Sequence, residues 1–191
     1  MPGGWGHLAA RFFDVLLARP LTTEERREVT EMLDRQVARD AFFDQPVADQ
    51  RHGYEAAVFV RSRKPDRPDL VRAALLHDIA KRHSRLGPVG RVWTSVCIRL
   101  GLPLTARMRL YRDHGTLAAA ELADEDRTVT EFARHHHGQR PEWFDADDWE
   151  LLVAADRPVL SPPGLGSLIR RRRSTTMDRS MSGQPTAGQS E

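Results

Sequence analysis

Between Thr22 and Pro158 the chain is punctuated almost throughout by helix starts and stops. No stretch alternates apolar and polar residues with the period of two that a half-buried strand requires. Residues 5–18 place Leu8, Phe12, Val15 and Leu16 on one helical face. "LTTEERREVTEML" sets Thr22 three positions before Glu25, a capping-box pattern. Pro46 and Pro68 suit the first turns of two further helices, and Pro88 and Gly101 bracket "PVGRVWTSVCIRLG" as start and stop. "LTARMRLYRDHGTLAAAELAD" keeps the helical period, with an interruption expected near Gly115. Thr128 and Glu131 form a second capping box ahead of "EFARHHHG", which Gly138 stops. Asp145 is an N-cap for "DADDWELLVAADRP", which ends at Pro158. The predicted class is all-α.

A chain of 191 residues with 40% hydrophobic and 29% charged residues has enough apolar material for one domain with a core, and is not a disordered composition. The single cysteine, Cys97, has no partner for an internal disulfide and no companions for a zinc–thiolate site. It reads as a small buried residue in a reducing setting. The first twenty residues lack the basic start and apolar length of a signal peptide, and no window has the length of a membrane span, so the expected location is cytoplasmic.

After Pro158 the composition turns to Ser, Gly, Pro and Gln, and residues 159–191 are expected to form a flexible basic tail behind a helical domain over 1–158. Five arginines against two acids give this segment a net charge of +3, which leaves −1 on the rest of a chain whose total is +2. Arg170, Arg171, Arg172 and Arg173 read either as a solvated basic run or as a grip for an anion, an acidic partner or nucleic acid. Because the charge is confined to the tail, nucleic acid is not expected as the partner of the helical domain.

The helices carry an ordered set of polar residues: His52, then His77-Asp78, then His114, then His135-His136, then Asp156. Successive groups lie 20 to 36 residues apart, each gap about one helix and one connection. Each group therefore sits on a different helix, and antiparallel packing can bring them to one point. Asp78 follows "AALLH" and Asp156 follows "LLVAA", so both carboxylates emerge from apolar runs, where an ionised acid is costly unless it meets a cation. Imidazole and carboxylate together suit a divalent first-row metal: Mn, Fe, Co, Ni or Zn. Neighbouring residues on a helix point about 100° apart, so His77 and Asp78 flank one ion rather than both facing it. Asp78 can then lean toward a second ion, completed by His114 and the "HHH" group. Two bridged metals are an arrangement that activates water and clamps a phosphate.

This order resembles the HD-domain superfamily of metal-dependent phosphohydrolases. "AALLHDIAK" is similar to that family's hallmark helix, "DHGTLAAAEL" to its third-His helix, "EFARHHHG" to its fourth motif and "LLVAADRP" to its closing Asp helix. The resemblance spans about residues 45–158. It implies an all-α core of about five helices and one or two divalent ions. His52, His77, Asp78 and Asp156 would hold one ion, with Asp78 bridging to a second held by His114 and a histidine of the fourth motif. His135 is preferred there, His136 comes next and His137 third. It also implies that Lys81, one turn after Asp78, lies near the site and neutralises a phosphate, against the plainer reading of a surface lysine at a helix end. Arg51, Arg82 and Arg157 are further candidates for that charge.

The implied activity is hydrolysis of a small phosphorylated substrate such as a nucleotide, with Asp78 and Lys81 as catalytic residues. The fourth motif continues as "GQRPEWF" and lacks the "DGxGYP" extension of the cyclic-dinucleotide phosphodiesterase branch, so that branch is not expected. The same ligand set also serves a non-catalytic metal- and nucleotide-binding module, or a di-iron oxygenase of the same fold.

Overall fold

The computed structural model describes residues 18–157, and every regular element among them is helical. In chain order these are α1 (Thr23–Met32), α2 (Gln36–Phe43), α3 (Val47–Arg63), α4 (Pro68–Leu76), a 3-10 helix (Ile79–Ser84), α5 (Pro88–Arg99), α6 (Ala106–Arg112), α7 (His114–Glu121), α8 (Arg127–His135) and α9 (Ala146–Ala155). The helix expected over 5–18 and the tail expected over 159–191 fall outside the described residues. No helix among those described is long and apolar enough to cross a membrane.

Helix α4 is the axis of the bundle. It packs on α3, α8, α9 and α1. Leu70, Val71, Ala73, Ala74, Leu75 and Leu76 are all buried, an apolar girdle rather than a stripe. Phe42, Phe132, Ile79, Val29, Val60 and Leu152 close around it. Each such side chain contributes about 1.5–3 kcal/mol by leaving water, and together they fix the helices that frame the polar cluster.

Two of the three expected N-terminal caps are present. The box at α1 is present in both directions: the Glu25 N–H donates to Thr22 Oγ1 at 3.2 Å and the Thr22 N–H to Glu25 Oε2 at 2.7 Å. Asp145 caps α9, accepting from the Asp148 N–H at 2.9 Å. The box expected at Thr128 and Glu131 is absent, because α8 begins earlier, with Asp126 as its N-cap. Asp126 in turn is drawn into an ion pair with Arg72 and gives no side-chain cap.

Of two chain breaks, one was expected. The interruption expected near Gly115 is present, at Asp113 between α6 and α7. The hallmark segment, by contrast, is not one continuous helix. α4 stops at Leu76, His77 is its C-cap, and Asp78 adopts φ −102°, ψ 5° before the chain tightens into the 3-10 helix. Both breaks fall beside residues of the polar cluster.

Candidate metal centre

Two four-residue groups lie against one another, and each offers ligand atoms within 4.8 Å of one another: His52, His77, Asp78 and Asp156 in one, Asp78, His114, His136 and His137 in the other. Asp78 belongs to both. Its two carboxylate oxygens divide the work. Oδ2 lies 3.4 Å from His77 Nε2, whereas Oδ1 lies 3.2 Å from His114 Nε2 and 3.4 Å from His136 Nε2. On the first side, Asp156 Oδ1 lies 3.1 Å from His52 Nε2 and 3.2 Å from His77 Nε2. The bend at Asp78 is what permits this. On a straight helix His77 and Asp78 would diverge by about 100°, and the bridge-region backbone at Asp78 re-aims its carboxylate between the two groups.

Three of the histidines are oriented in the same way. His77, His114 and His136 each donate Nδ1–H to the carbonyl three residues earlier, Ala74 at 2.9 Å, Tyr111 at 2.6 Å and Ala133 at 2.8 Å. A carbonyl only accepts, so the proton must be on Nδ1. In the neutral ring Nε2 therefore presents its lone pair to the cluster. This is the outer partner that metal-ligating histidines ordinarily have.

In their neutral rings the inward-facing nitrogens of His114 and His136 are consequently acceptors. His114 Nε2 and His136 Nε2 lie 3.3 Å apart, and Asp78 Oδ1 beside them is buried and accepts no hydrogen bond. Lone pairs turned toward one another and toward an ionised carboxylate repel, and a cation reverses the sign of each of those interactions.

The electrostatics agree. Burial raises the Asp78 carboxyl, yet the Lys81 and His77 charges hold it well below the usual carboxylate range. Asp156 is likewise held low against the cost of its burial, by His52 and His77. Burial pushes His114 down. His77 is pushed up to about 10, because Asp78 and Asp156 outweigh the opposing effect of its burial. Two ionised acids thus draw positive charge toward a centre at which His77 is 1% and Asp78 4% exposed. These buried His/Asp groups can hold a metal ion, and the donor set fits one.

The structure brings together His52, His77, Asp78, His114, His136 and Asp156, but not His135. His135 is half-exposed, with Glu131 3.7 Å away on the outer face of α8. The preference for His135 is corrected to His136. One residue further along the helix turns the ring about 100°, from that outer face to the interior. His137 joins the second group from its exposed edge, its ring centroid 3.9 Å from that of His136.

Lys81 is not a surface residue. It is 3% exposed and its ammonium pairs with Asp78. Arg51 is spent on structure, donating to Glu25 at 2.8 and 2.9 Å and to the Arg19 and Pro20 carbonyls. Arg157 is exposed at the end of α9.

Two glycines set the spacing, Gly53, which carried no expectation, and Gly115, which was expected only to interrupt a helix. A Cβ on Gly53 would lie 2.8 Å from the Leu75 carbonyl oxygen, and one on Gly115 would lie 2.8 Å from that of Ala133. Gly53 follows His52 and Leu75 precedes His77 by two; Gly115 follows His114 and Ala133 precedes His136 by three. Each glycine lets a histidine-bearing helix touch the backbone next to the following histidine. The repeated dipeptide His-Gly, in "RHGYE" and "DHGTL", was the available signal. Gly115→Ala is expected to cost about 1–3 kcal/mol by overpacking and to weaken metal uptake. Denaturant unfolding and a metal titration measure both, and unchanged values would remove the spacing argument.

No known family profile, curated protein or solved structure matches this chain.

Proposed function

We propose that the chain is a metal-dependent phosphohydrolase acting on a small phosphorylated substrate, a nucleotide or related phosphoester. The observation that carries this reading is the position of Asp78, one buried carboxylate shared by two His/Asp groups. His52, His77, Asp78 and Asp156 would hold one divalent ion, and Asp78, His114, His136 and His137 a second. Mn, Fe, Co, Ni and Zn all accept such nitrogen and oxygen donors. Bound ions of this kind supply Lewis acidity toward water and toward phosphoryl oxygens.

The protein's own residues supply the rest. The backbone carbonyls of Ala74, Tyr111 and Ala133 hold three imidazoles in one tautomer. Asp156, turned toward His52 and His77, sets the outer edge. Lys81 stands at the boundary between the cluster and the neighbouring cavity, where an ammonium neutralises a phosphoryl oxygen.

The test is phosphate release from an aryl phosphate and a nucleotide panel by protein stripped with chelator and reloaded with each of the five metals. Release that depends on metal supports the reading. Tight stoichiometric metal without turnover on any substrate overturns it in favour of a binding module. An absorption band of the iron form that changes with O2, again without phosphate release, overturns it in favour of an oxygenase.

A further inference from the structure

Helix α5 inverts the usual pattern of a surface helix. Its buried residues are Arg91, Thr94 and Cys97, in steps of three. Val89, Trp93, Val96 and Leu100 follow one another in steps of four, three and four, which keeps them on a second face, about 130° round the helix from the first. Val89 is 71%, Trp93 55% and Leu100 66% exposed, and Val96 is partly buried. A helix on the surface of a globular domain ordinarily turns polar residues to that side.

The apolar character continues beyond the helix. Nine large hydrophobic side chains are exposed among the described residues, and six of them lie between Val89 and Leu110: Ile98, Leu102 and Leu110 join the three of the outer face. α6, which carries Leu110, packs on α5. Exposed apolar residues scattered singly need no explanation, but a concentration of this kind marks an interaction surface.

The same segment is one-sided in charge. From Ile79 to Arg112 the chain carries eight Lys and Arg and no Asp or Glu. Lys81, Arg82 and Arg91 are neutralised from behind by Asp78, Glu121 and Asp49, and Arg112 pairs with Asp113. Arg85, Arg107 and Arg109 are exposed and have no carboxylate partner among the described residues. Arg85 occupies the left-handed turn that leads into α5, at φ 49°. Arg107 donates to the Ser84 and Arg85 carbonyls, and Arg109 to the Leu104 carbonyl at 2.7 Å. Such bonds hold a guanidinium in place without cancelling its charge.

We propose that α5 and α6 form a docking surface for an anionic lipid bilayer. Val89, Trp93 and Leu100 enter the boundary between headgroups and acyl chains, and Arg85, Arg107 and Arg109 meet lipid phosphates. Two features together select this occupant. Unneutralised arginines call for an anionic partner, and a face of Val, Trp and Leu suits the interfacial zone, where Trp is enriched. Nucleic acid offers a polar, charged surface with little use for a Val/Leu face. A second copy of the chain would bring the same arginines against one another. The helix lies on the bilayer and does not cross it. The proposal stands independently of the hydrolase reading.

The full 191-residue chain is floated with vesicles of phosphatidylcholine and with vesicles of an equal mixture of phosphatidylcholine and phosphatidylglycerol. It should bind the mixture at least about tenfold more tightly, and raised salt should shrink that advantage. Val89→Asp should weaken binding to the mixture at least about tenfold. Val37→Asp is its matched control. Val37 is 70% exposed and is the second residue of α2, as Val89 is of α5. Both substitutions place an acid in the first turn of a helix, where it is favourable, so neither variant should melt lower than the wild type. Val37→Asp should bind the vesicles as the wild type does. Trp93→Phe should also bind, but should lose most of the fluorescence quenching that lipids brominated in their acyl chains produce.

Equal affinity for the two kinds of vesicle, or none for either, overturns the proposal. So does equal loss in Val89→Asp and Val37→Asp, or quenching that persists in Trp93→Phe. Arg170, Arg171, Arg172 and Arg173 remain in every variant. Vesicle binding that survives Val89→Asp therefore belongs to the tail and overturns the docking surface. A dimer in sedimentation that Val89→Asp dissolves, without vesicle binding, overturns it in favour of a second copy. Binding of a duplex oligonucleotide in place of vesicles overturns it in favour of nucleic acid.

Discussion

Asp78→Asn is expected to abolish metal uptake in both groups at once, and hydrolysis with it. No other single substitution should do so. His52→Ala removes a donor from the first group alone and leaves Asp78, His114, His136 and His137 together, so about one ion per chain should remain. Asp78 presents Oδ2 to His77 and Oδ1 to His114 and His136, so its neutral isostere withdraws a charged donor from each side. Loss of an outer partner typically costs about 10–100-fold in affinity or activity, and loss of the shared ligand should exceed that. Elemental analysis of both variants beside the wild type reads the result.

The substitution also strands Lys81, whose side chain is 3% exposed and whose ammonium pairs with Asp78. Breaking one side of a buried pair costs about 3–5 kcal/mol. Asp78→Asn alone should therefore melt lower, and Asp78→Asn combined with Lys81→Met should recover stability without recovering metal. A double variant that regains stability and still binds no metal separates ligand loss from unfolding. A single variant that binds metal normally would end the shared-carboxylate reading.

Most of this arrangement was legible because helices advertise themselves locally. Apolar period, Pro at the first turn and Gly after the last identify them without any knowledge of their neighbours, and an ordered His/Asp set on separate helices then points to a common centre. What escaped was decided by contacts distant in sequence. The two capping boxes look alike, but α8 begins at Arg127 and already includes Thr128, while Thr22 is the N-cap of α1 with its box complete. The break after Leu76 carries no Gly or Pro to announce it. Gly53 and Gly115 look like helix breakers until the Leu75 and Ala133 carbonyls are seen against them. Arg85, in a run of ordinary basic residues, stands out only through its backbone angle and its place on a cavity wall.

The run "HHH" shows the limit most sharply, and it yields the second large expected effect. Three consecutive residues sweep about 200° of a helix, so one of them must face the core and composition cannot say which. The packing of α8 decides. Val129, Phe132 and Ala133 are buried, and His136 continues that face, with its Nδ1–H on the Ala133 carbonyl and its Nε2 toward Asp78 and His114.

His136→Ala is therefore expected to lose the ion of the second group while retaining that of the first, with hydrolysis falling by at least about 100-fold, beyond the range for an outer partner. His135→Ala removes a ring on the outer face, beside Glu131 and Arg134, and should change turnover less than about twofold, as an exposed substitution changes stability by no more than ~0.5 kcal/mol. His137→Ala should fall between the two. Its residue is exposed, and three protein donors with an open fourth position are a working catalytic set. Metal content and phosphate release measured on the three variants in parallel give the order. If His135→Ala proves the damaging one, α8 is rotated by one residue from the position described here, and the second group with it.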